Sequence, residues 1–316
     1  MVKDRLDVFA MVVLTLLCLA WGLNTVAIKV ANDGIPPVLQ GAMRSLLAAL
    51  LVGLYAKWRG IPLFRRDAST LPGITAGVLF GLEFVAFYWG VDGTTAARAI
   101  IFLYTMPFFV AVGAALWLPN ERLRPFQVLG LAVAFAGMAL GLADGLGKGG
   151  GMLVADLACV LGAALWAGTT LVIKTTVLAR EPAERILFYQ LAYSAPVLAL
   201  AAPFFGPIGL TDPTPLVWWA LAYQVVLVVS VTYLAWFWLI TRYPAAKLAS
   251  FTFLTPLFGV AAGALLLGDP VSVLLALALA SVALGIYLVN RVPRPAMVAP
   301  MVPGARTEGD VKPGAD

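Results

Sequence analysis

Histidine is missing from all 316 residues, and cysteine appears only twice. The first absence excludes His-based triads, imidazole proton relays and most zinc sites. The two cysteines, Cys18 and Cys159, lie far apart in apolar runs with no Cys-x-x-Cys arrangement. They read as buried free thiols rather than a redox or metal pair. Charge is scarce too, at 12% of residues, where a soluble domain carries roughly 25%. No paired membrane aspartates and no exposed nucleophile motif occur, which argues against an intramembrane hydrolase or transferase. The glycine-rich stretch around Lys148 is not a P-loop. Leu142 stands where the first glycine belongs, and Gly149 follows the lysine in place of Ser or Thr. The chain is therefore expected to need no ATP, no metal and no cofactor.

What is present is apolar surface: 62% hydrophobic residues and a mean hydropathy of +0.95. Ten apolar runs of spanning length can be marked, at about 8–30, 36–56, 72–90, 96–118, 124–142, 151–178, 184–204, 215–240, 246–267 and 271–290. Turn residues separate them, such as Asn32-Asp33-Gly34 before Pro36-Pro37 and the glycines from Gly145 to Gly151. The first run follows Lys3 and Arg5, as a signal peptide would, but it is long enough to span and lacks a cleavage site. It reads as the first transmembrane helix. The tail from 291 to 316 is rich in proline, glycine and charge and is expected to be disordered.

The net charge of +5 is spread between the runs rather than gathered on a patch, so it points to topology and not to nucleic acid. With the N-terminus inside, sixteen Lys and Arg residues fall on the inner side. Arg98 and Lys148 alone fall on the outer side, and Lys29, Arg44 and Lys174 lie within helices. That bias places both termini in the cytoplasm.

The chain also repeats. Trp21–Lys29, WGLNTVAIK, returns 145 residues later as Trp166–Lys174, WAGTTLVIK. Pro107 and Pro256 are 149 apart, as are Arg98 and Lys247, Trp89 and Trp238, and Phe109 and Phe258. Helices 1–5 (residues 8–142, after a short cytoplasmic stretch 1–7) thus map onto helices 6–10 (151–290). Five is odd, so the second copy enters the membrane from the opposite face. The expected fold is an all-α integral membrane protein of ten transmembrane helices, two inverted five-helix repeats around a central cavity. Secondary transporters are built this way, with substrate held near the midplane.

The segment Pro119–Gly137, PNERLRPFQVLGLAVAFAG, resembles the first-half signature of EamA-type proteins of the drug/metabolite transporter superfamily. Thr255–Pro270, TPLFGVAAGALLLGDP, resembles the second-half version. Trp21-Gly22 with its downstream lysine, and Arg44 in helix 2, add to the likeness, which covers about residues 8–290. One departure is Gly268-Asp269, where the family usually carries Gly-Glu. The resemblance implies ten helices in two inverted repeats and export of small metabolites from the bacterial cytoplasmic (inner) membrane. Within the superfamily the chain is similar to the YddG-type aromatic amino-acid exporters.

Candidate site residues follow from helical faces. Helix 3 carries Phe80, Glu83, Phe84, Phe87 and Tyr88 at i, i+3, i+4, i+7 and i+8. Their counterparts in helix 8 are Val229, Thr232, Tyr233, Trp236 and Phe237. Trp21 with Asn24, Trp166 with Thr169, Tyr104 and Phe102, and Phe251 and Phe253 complete an aromatic lining from both halves. Such a lining suits an aromatic or hydrophobic amino acid or related metabolite, and equally a cationic drug. Arg44 and Glu83 fall about 12 and 10 Å inside the membrane by helix rise. Equal depth allows an ion pair docking helix 2 on helix 3, or leaves Glu83 as a protonatable carboxylate for proton coupling. Lys29 and Lys174 sit near opposite faces, where they snorkel or gate. Asp156 reads as solvated near the outer surface. Pro107 and Pro256 are expected to interrupt helices 4 and 9 as hinges or fixed kinks. The stripes Gly73-x-x-x-Gly77-x-x-x-Gly81, Gly137-x-x-x-Gly141 and Gly259-x-x-x-Gly263 permit close helix approach, within a monomer or at a weak homodimer face. The lipid bilayer is the other expected partner.

Overall fold

The computed structural model describes residues 6–65, 67–117, 124–146, 150–240, 242–243, 248 and 251–290. All regular elements among them are helical: α1 Val8–Asn32, α2 Pro37–Trp58, α3 Thr70–Gly93, α4 Ala96–Leu103, α5 Met106–Trp117, α6 Pro125–Leu146, α7 Gly150–Thr175 and α8 Ala183–Ala201. Next come α9 Pro215–Ala222, a π-helix Tyr223–Thr232, α10 Tyr233–Ile240, α11 Leu254–Leu267 and α12 Val273–Asn290. Residues 96–117 make one crossing from α4 and α5, and residues 215–240 make one from α9, the π-helix and α10. Among the described residues, eight helices are long and apolar enough to cross a membrane, and two more apolar helices, near the C-terminus, are shorter. The ten-helix expectation holds. The tail from 291, and Lys148, Arg122 and Lys247, lie outside the described residues.

Successive crossings run in opposite directions. At one end, Lys29 Nζ donates to the Asp92 carbonyl at 3.3 Å and the Ser272 hydroxyl donates to Asp144 at 2.7 Å. At the other, the Tyr243 hydroxyl donates to both Asp7 oxygens at 3.0 Å, and Gln127 Nε2 donates to the Val289 carbonyl at 3.1 Å. Helix starts are locally encoded. Asp7 accepts from the Ala10 N–H at 2.8 Å, capping α1, while Pro37 and Pro215 stand where a helix start needs no N–H.

Packing between the halves comes in matched pairs. Helix α1 lies on α11, as α7 lies on α4 and α5. Helix α3 lies on α7 and α8, as the π-helix lies on α1 and α2. The pairs α2–α8 and α6–α12 map onto themselves. A two-fold axis in the membrane plane produces that list. The polar ends follow the same rule. Asp156 accepts from the Thr94 hydroxyl at 2.7 Å, and Asp7 accepts from Tyr243; 7 and 156, and 94 and 243, are both 149 apart.

Small residues bring the backbones together, since lipid supplies no hydrophobic drive between helices. A Cβ at Gly73 would lie 2.5 Å from the Tyr189 ring. One at Gly77 would lie 2.5 Å from Tyr193 Cβ, and one at Gly81 would lie 2.8 Å from Val197 Cβ. The helix-3 glycine stripe is therefore spent on α8, inside the monomer. Lipid takes the opposite faces: Leu46, Leu50 and Leu54 form an exposed row on α2, while Ala42, Ala49, Val52 and Ala56 on its other side are buried.

Candidate functional site

Midway along the bundle, α1 meets the eighth crossing. Trp21 Nε1 donates to the Thr232 hydroxyl at 2.8 Å, and its ring meets Trp236 at 5.5 Å and Tyr233 at 6.5 Å edge-on. The Tyr223 hydroxyl donates to the Ala20 carbonyl at 2.8 Å, a second strap across the same seam. A second ring contact pairs Tyr104 with Trp166 edge-on at 6.1 Å. Tyr104 also lies beside Thr255 and Cys18 and within the electrostatic reach of Tyr233. Aromatic rings from α1, α4, α7 and the eighth crossing thus converge from both halves.

Beside them sit Arg44 of α2 and Glu83 of α3, each 2% exposed. The contact allowed by their equal depth is not a direct one: their nitrogens and oxygens stay more than 4.0 Å apart. The Arg44 guanidinium instead lies over the Phe84 ring, 3.8 Å from its centroid, and 5.6 Å from that of Tyr88. Arg44 Nε and Nη2 and Glu83 Oε2 have no hydrogen-bond partner. On insertion scales a charge at the centre of a membrane helix costs ~2.5–3.5 kcal/mol, so unpartnered atoms here are unusual. A neutral chain of amides runs up to this cluster. Gln40 Nε2 donates to Asn32 Oδ1 at 2.8 Å, Gln224 Nε2 donates to Gln40 Oε1 at 3.0 Å, and the Tyr88 hydroxyl donates to Gln224 Oε1 at 2.6 Å.

The ends are closed by charges that are paired with carboxylates. Arg98, 1% exposed, is held by Asp156 through Nε and Nη2, by Asp144 at 2.6 Å and by the Gly141 carbonyl at 2.7 Å. Asp269 caps the same helix, accepting from the Ala97 N–H at 2.9 Å. At the other end Arg185 is gripped by Asp67 at 3.1 Å, Glu181 at 3.0 Å and the Arg65 carbonyl at 2.7 Å. Two sequence expectations are corrected here. Asp156 is 0% exposed rather than solvated, because α4 delivers Arg98 and Thr94 against it. Arg98 and Arg185 are helix residues inside the protein, not loop charges. It follows that Arg44 and Glu83 are not the only charges buried among the helices.

The prolines also differ from expectation. Pro107 is the second residue of α5 and Pro256 the third of α11, where a missing N–H costs nothing. The interruptions come just before them, at Tyr104-Thr105 and Thr252-Phe253. Each broken crossing resumes at its proline, which removes no bond from a helix interior.

Residues 8–142 and 153–291 each match the EamA-like transporter family. The chain belongs to that family. It is 29% identical over 287 residues to an uncharacterized transporter, YvbV, of Bacillus subtilis, covering 88% of this chain and 90% of that one. It is 25% identical over 285 residues to a protein of Escherichia coli named a probable amino-acid metabolite efflux pump, covering 86% and 92%. A solved crystal structure superposes with a TM-score of 0.65 at 22% identity, over 89% of this chain and 97% of its own, and shares the fold.

In this EamA-family transporter, the expected site residues divide into groups. Trp21, Tyr233 and Trp236 meet one another, Tyr104 meets Trp166, and Arg44, Glu83, Phe84 and Tyr88 cluster on α2 and α3. Phe87, 1% exposed, belongs to the same cluster, meeting Phe84 at 6.3 Å and Tyr88 at 6.4 Å edge-on, while its Cβ faces Gly162 of α7. Thr169 is buried with its hydroxyl on the Leu165 carbonyl of its own helix. Asn24 and Phe253 are half-buried, and Asn24 Oδ1 lacks a partner. Lys29 and Lys174 lie at opposite ends, away from the rings; the Phe237 side chain lies outside the described residues. Sequence reasoning missed Gln40 and Gln224. An uncharged amide inside an apolar run was their one signal. Among the described residues, no group of three or more His, Cys, Asp and Glu could hold a metal.

Proposed function

We propose that this EamA-family transporter exports aromatic and hydrophobic amino acids from the bacterial cytoplasm, with both termini cytoplasmic, by alternating access. The observation that carries the reading is a pair of ring contacts, Trp21 with Tyr233 and Trp236 and Tyr104 with Trp166, in which Tyr233 and Trp166 pack on the buried cluster of Phe84 and Tyr88, the rings that lie beside Arg44. Ring contacts contribute ~0.5–1.5 kcal/mol per aromatic pair, and Arg44 and Glu83 give a polar head something to hold. Likeness to an amino-acid metabolite efflux pump supports the same class. Trp21, Asn24, Glu83, Phe84, Tyr88, Tyr104, Trp166, Tyr233, Trp236 and Phe253 are the residues proposed to line the path, with Phe87 and Thr169 supporting them from behind.

The alternation uses the broken crossings. Tyr104-Thr105 and Thr252-Phe253 bend, with Pro107 and Pro256 restarting the helices. Ties then open in turn at Thr94, Arg98 and Asp156 on one side and at Asp7 and Tyr243 on the other, with Lys29 and Lys174 flanking the mouths. Glu83 is the carboxylate for which a proton and a substrate ammonium compete, and this competition would couple export to a pH gradient. A second reading, export of cationic drugs, draws on the same unpartnered carboxylate among rings.

Uptake into inverted vesicles tests both. Accumulation of labelled phenylalanine, competed by tryptophan and not by drug cations, supports the amino-acid reading. Competition by drug cations alone overturns it. Glu83→Gln that leaves dependence on an imposed pH gradient unchanged removes the coupling role.

A further inference from the structure

Among the described residues, three arginines are almost wholly shut off from solvent: Arg44 at 2% exposed, and Arg98 and Arg185 at 1% each. Two are paired with carboxylates. Arg98 has Asp156, Asp144 and a backbone carbonyl; Arg185 has Asp67, Glu181 and a backbone carbonyl. Arg44 has no carboxylate. The nitrogens it leaves free, Nε and Nη2, form one edge of the guanidinium. That edge presents two parallel N–H donors, the arrangement that takes both oxygens of a carboxylate at once. The guanidinium carbon lies over the Phe84 ring, 3.8 Å from its centroid, a contact that favours this placement.

Glu83, on the neighbouring helix, answers it with an unpartnered Oε2, yet more than 4.0 Å separates the two charges. An acid and a base that only needed to neutralise each other in a low-dielectric interior would close that gap. Tyr233 packs against the buried cluster that contains Phe84 and Tyr88, the two rings beside the guanidinium. Behind it come Trp21, with ring centroids 6.5 Å apart, and then Trp236, 5.5 Å from Trp21. The two charges therefore stand at one edge of the aromatic cluster.

We infer that Arg44 and Glu83 are the two poles of a zwitterion site, Arg44 gripping a substrate α-carboxylate with its Nε–Nη2 edge and Glu83 accepting the α-ammonium. The substrate side chain then points to Trp21, Tyr233 and Trp236. This rests on the proposal that the cluster is the substrate path, and it adds that both charged groups of the substrate are required. The site takes α-amino acids with the amino and carboxyl groups free, and it rejects peptidyl, acylated or esterified forms.

The test compares ligands on the wild-type protein in nanodiscs by calorimetry: phenylalanine, its amide, its N-acetyl form and 3-phenylpropionate, alongside vesicle uptake of phenylalanine. Phenylalanine is expected to bind at least tenfold tighter than each analogue that lacks one pole. Arg44→Gln should erase the preference over the amide while keeping that over 3-phenylpropionate, and Glu83→Gln should do the reverse. Should either variant fail to fold, the wild-type ligand series decides alone. If phenylalanine is transported but every analogue binds within twofold of it, the zwitterion site is overturned while the amino-acid reading stands. If no aromatic amino acid is bound or carried, both fall.

Discussion

Asp156→Asn removes one charge from the most fully enclosed ion network among the described residues. Asp156 is 0% exposed and receives Arg98 through Nε at 3.2 Å to each oxygen, and also through Nη2. It also takes the Thr94 hydroxyl at 2.7 Å. Breaking a buried pair by neutralising one partner costs about 3–5 kcal/mol, because the other charge stays buried. Arg98 keeps Asp144 at 2.6 Å and the Gly141 carbonyl, so the lower end, about 3 kcal/mol, is expected. Reversible unfolding in mixed micelles of rising SDS content measures it. Thr94→Val, which loses a single neutral-to-charged bond, sets the scale at about 1.5 kcal/mol. Arg98→Met combined with Asp156→Leu and Asp144→Asn should be milder than Asp156→Asn, since neither an unpaired cation nor an unpaired carboxylate remains. An Asp156→Asn protein within about 0.5 kcal/mol of wild type, the range of an ordinary surface change, would refute the assignment of that network as a closed, desolvated tie.

Three more outcomes are checked in the same way. Gly77→Val should cost about 1–3 kcal/mol, since its Cβ would sit 2.5 Å from Tyr193 Cβ and 2.6 Å from the Tyr189 carbonyl oxygen; Gly151→Ala, with nothing within 4 Å, should cost far less. Gln224→Leu strips partners from Tyr88 and Gln40 together and should cost about 1–3 kcal/mol for each group left unsatisfied; a neutral result would mean that water replaces the amide. Hydrogen bonds from the Ser69 hydroxyl and backbone N–H, and then Arg185, hold the Asp67 carboxyl down at about 2 from an ordinary 3.8. Its contribution to stability is complete above pH 3.8 and is lost as pH falls through 2. An Asp67→Asn protein should therefore lose less stability than wild type between pH 4 and pH 2; parallel curves would show that Asp67 is not so held.

The number of crossings, their alternation and the inverted repeat were legible because each leaves a mark in one dimension: run length, the side on which Lys and Arg fall, and a fixed offset. Trp21 and Arg44 were legible as functional candidates because a polar or amphipathic group inside an apolar run has few structural excuses. Asp156 was not legible, because its exposure depends on Arg98 arriving from 58 residues away, a fact of packing rather than of position. The irregular winding of helix 8 left no mark in the sequence. The middle of that helix is a π-helix, Tyr223–Thr232, in which the Ser230 hydroxyl reaches the Val225 carbonyl five residues back. A face drawn at the 3.6-residue period drifts there. Proline is easy to read as a break, but here it marks where each broken crossing starts again, and the break itself falls on Tyr104-Thr105 and Thr252-Phe253.

The crossed packing of α1 on α11, α3 on α7 and α8, and α6 on α12 bears on how the chain is made. A ribosome that has delivered residues up to α6 has placed five crossings in the bilayer whose main partners do not yet exist. The glycine notches of α3, cut to the shapes of Tyr189, Tyr193 and Val197, stay open to lipid until α8 emerges. Assembly is thus a late event, sealed from the C-terminal side. A stop codon between the halves would leave not half a machine but an unpaired surface.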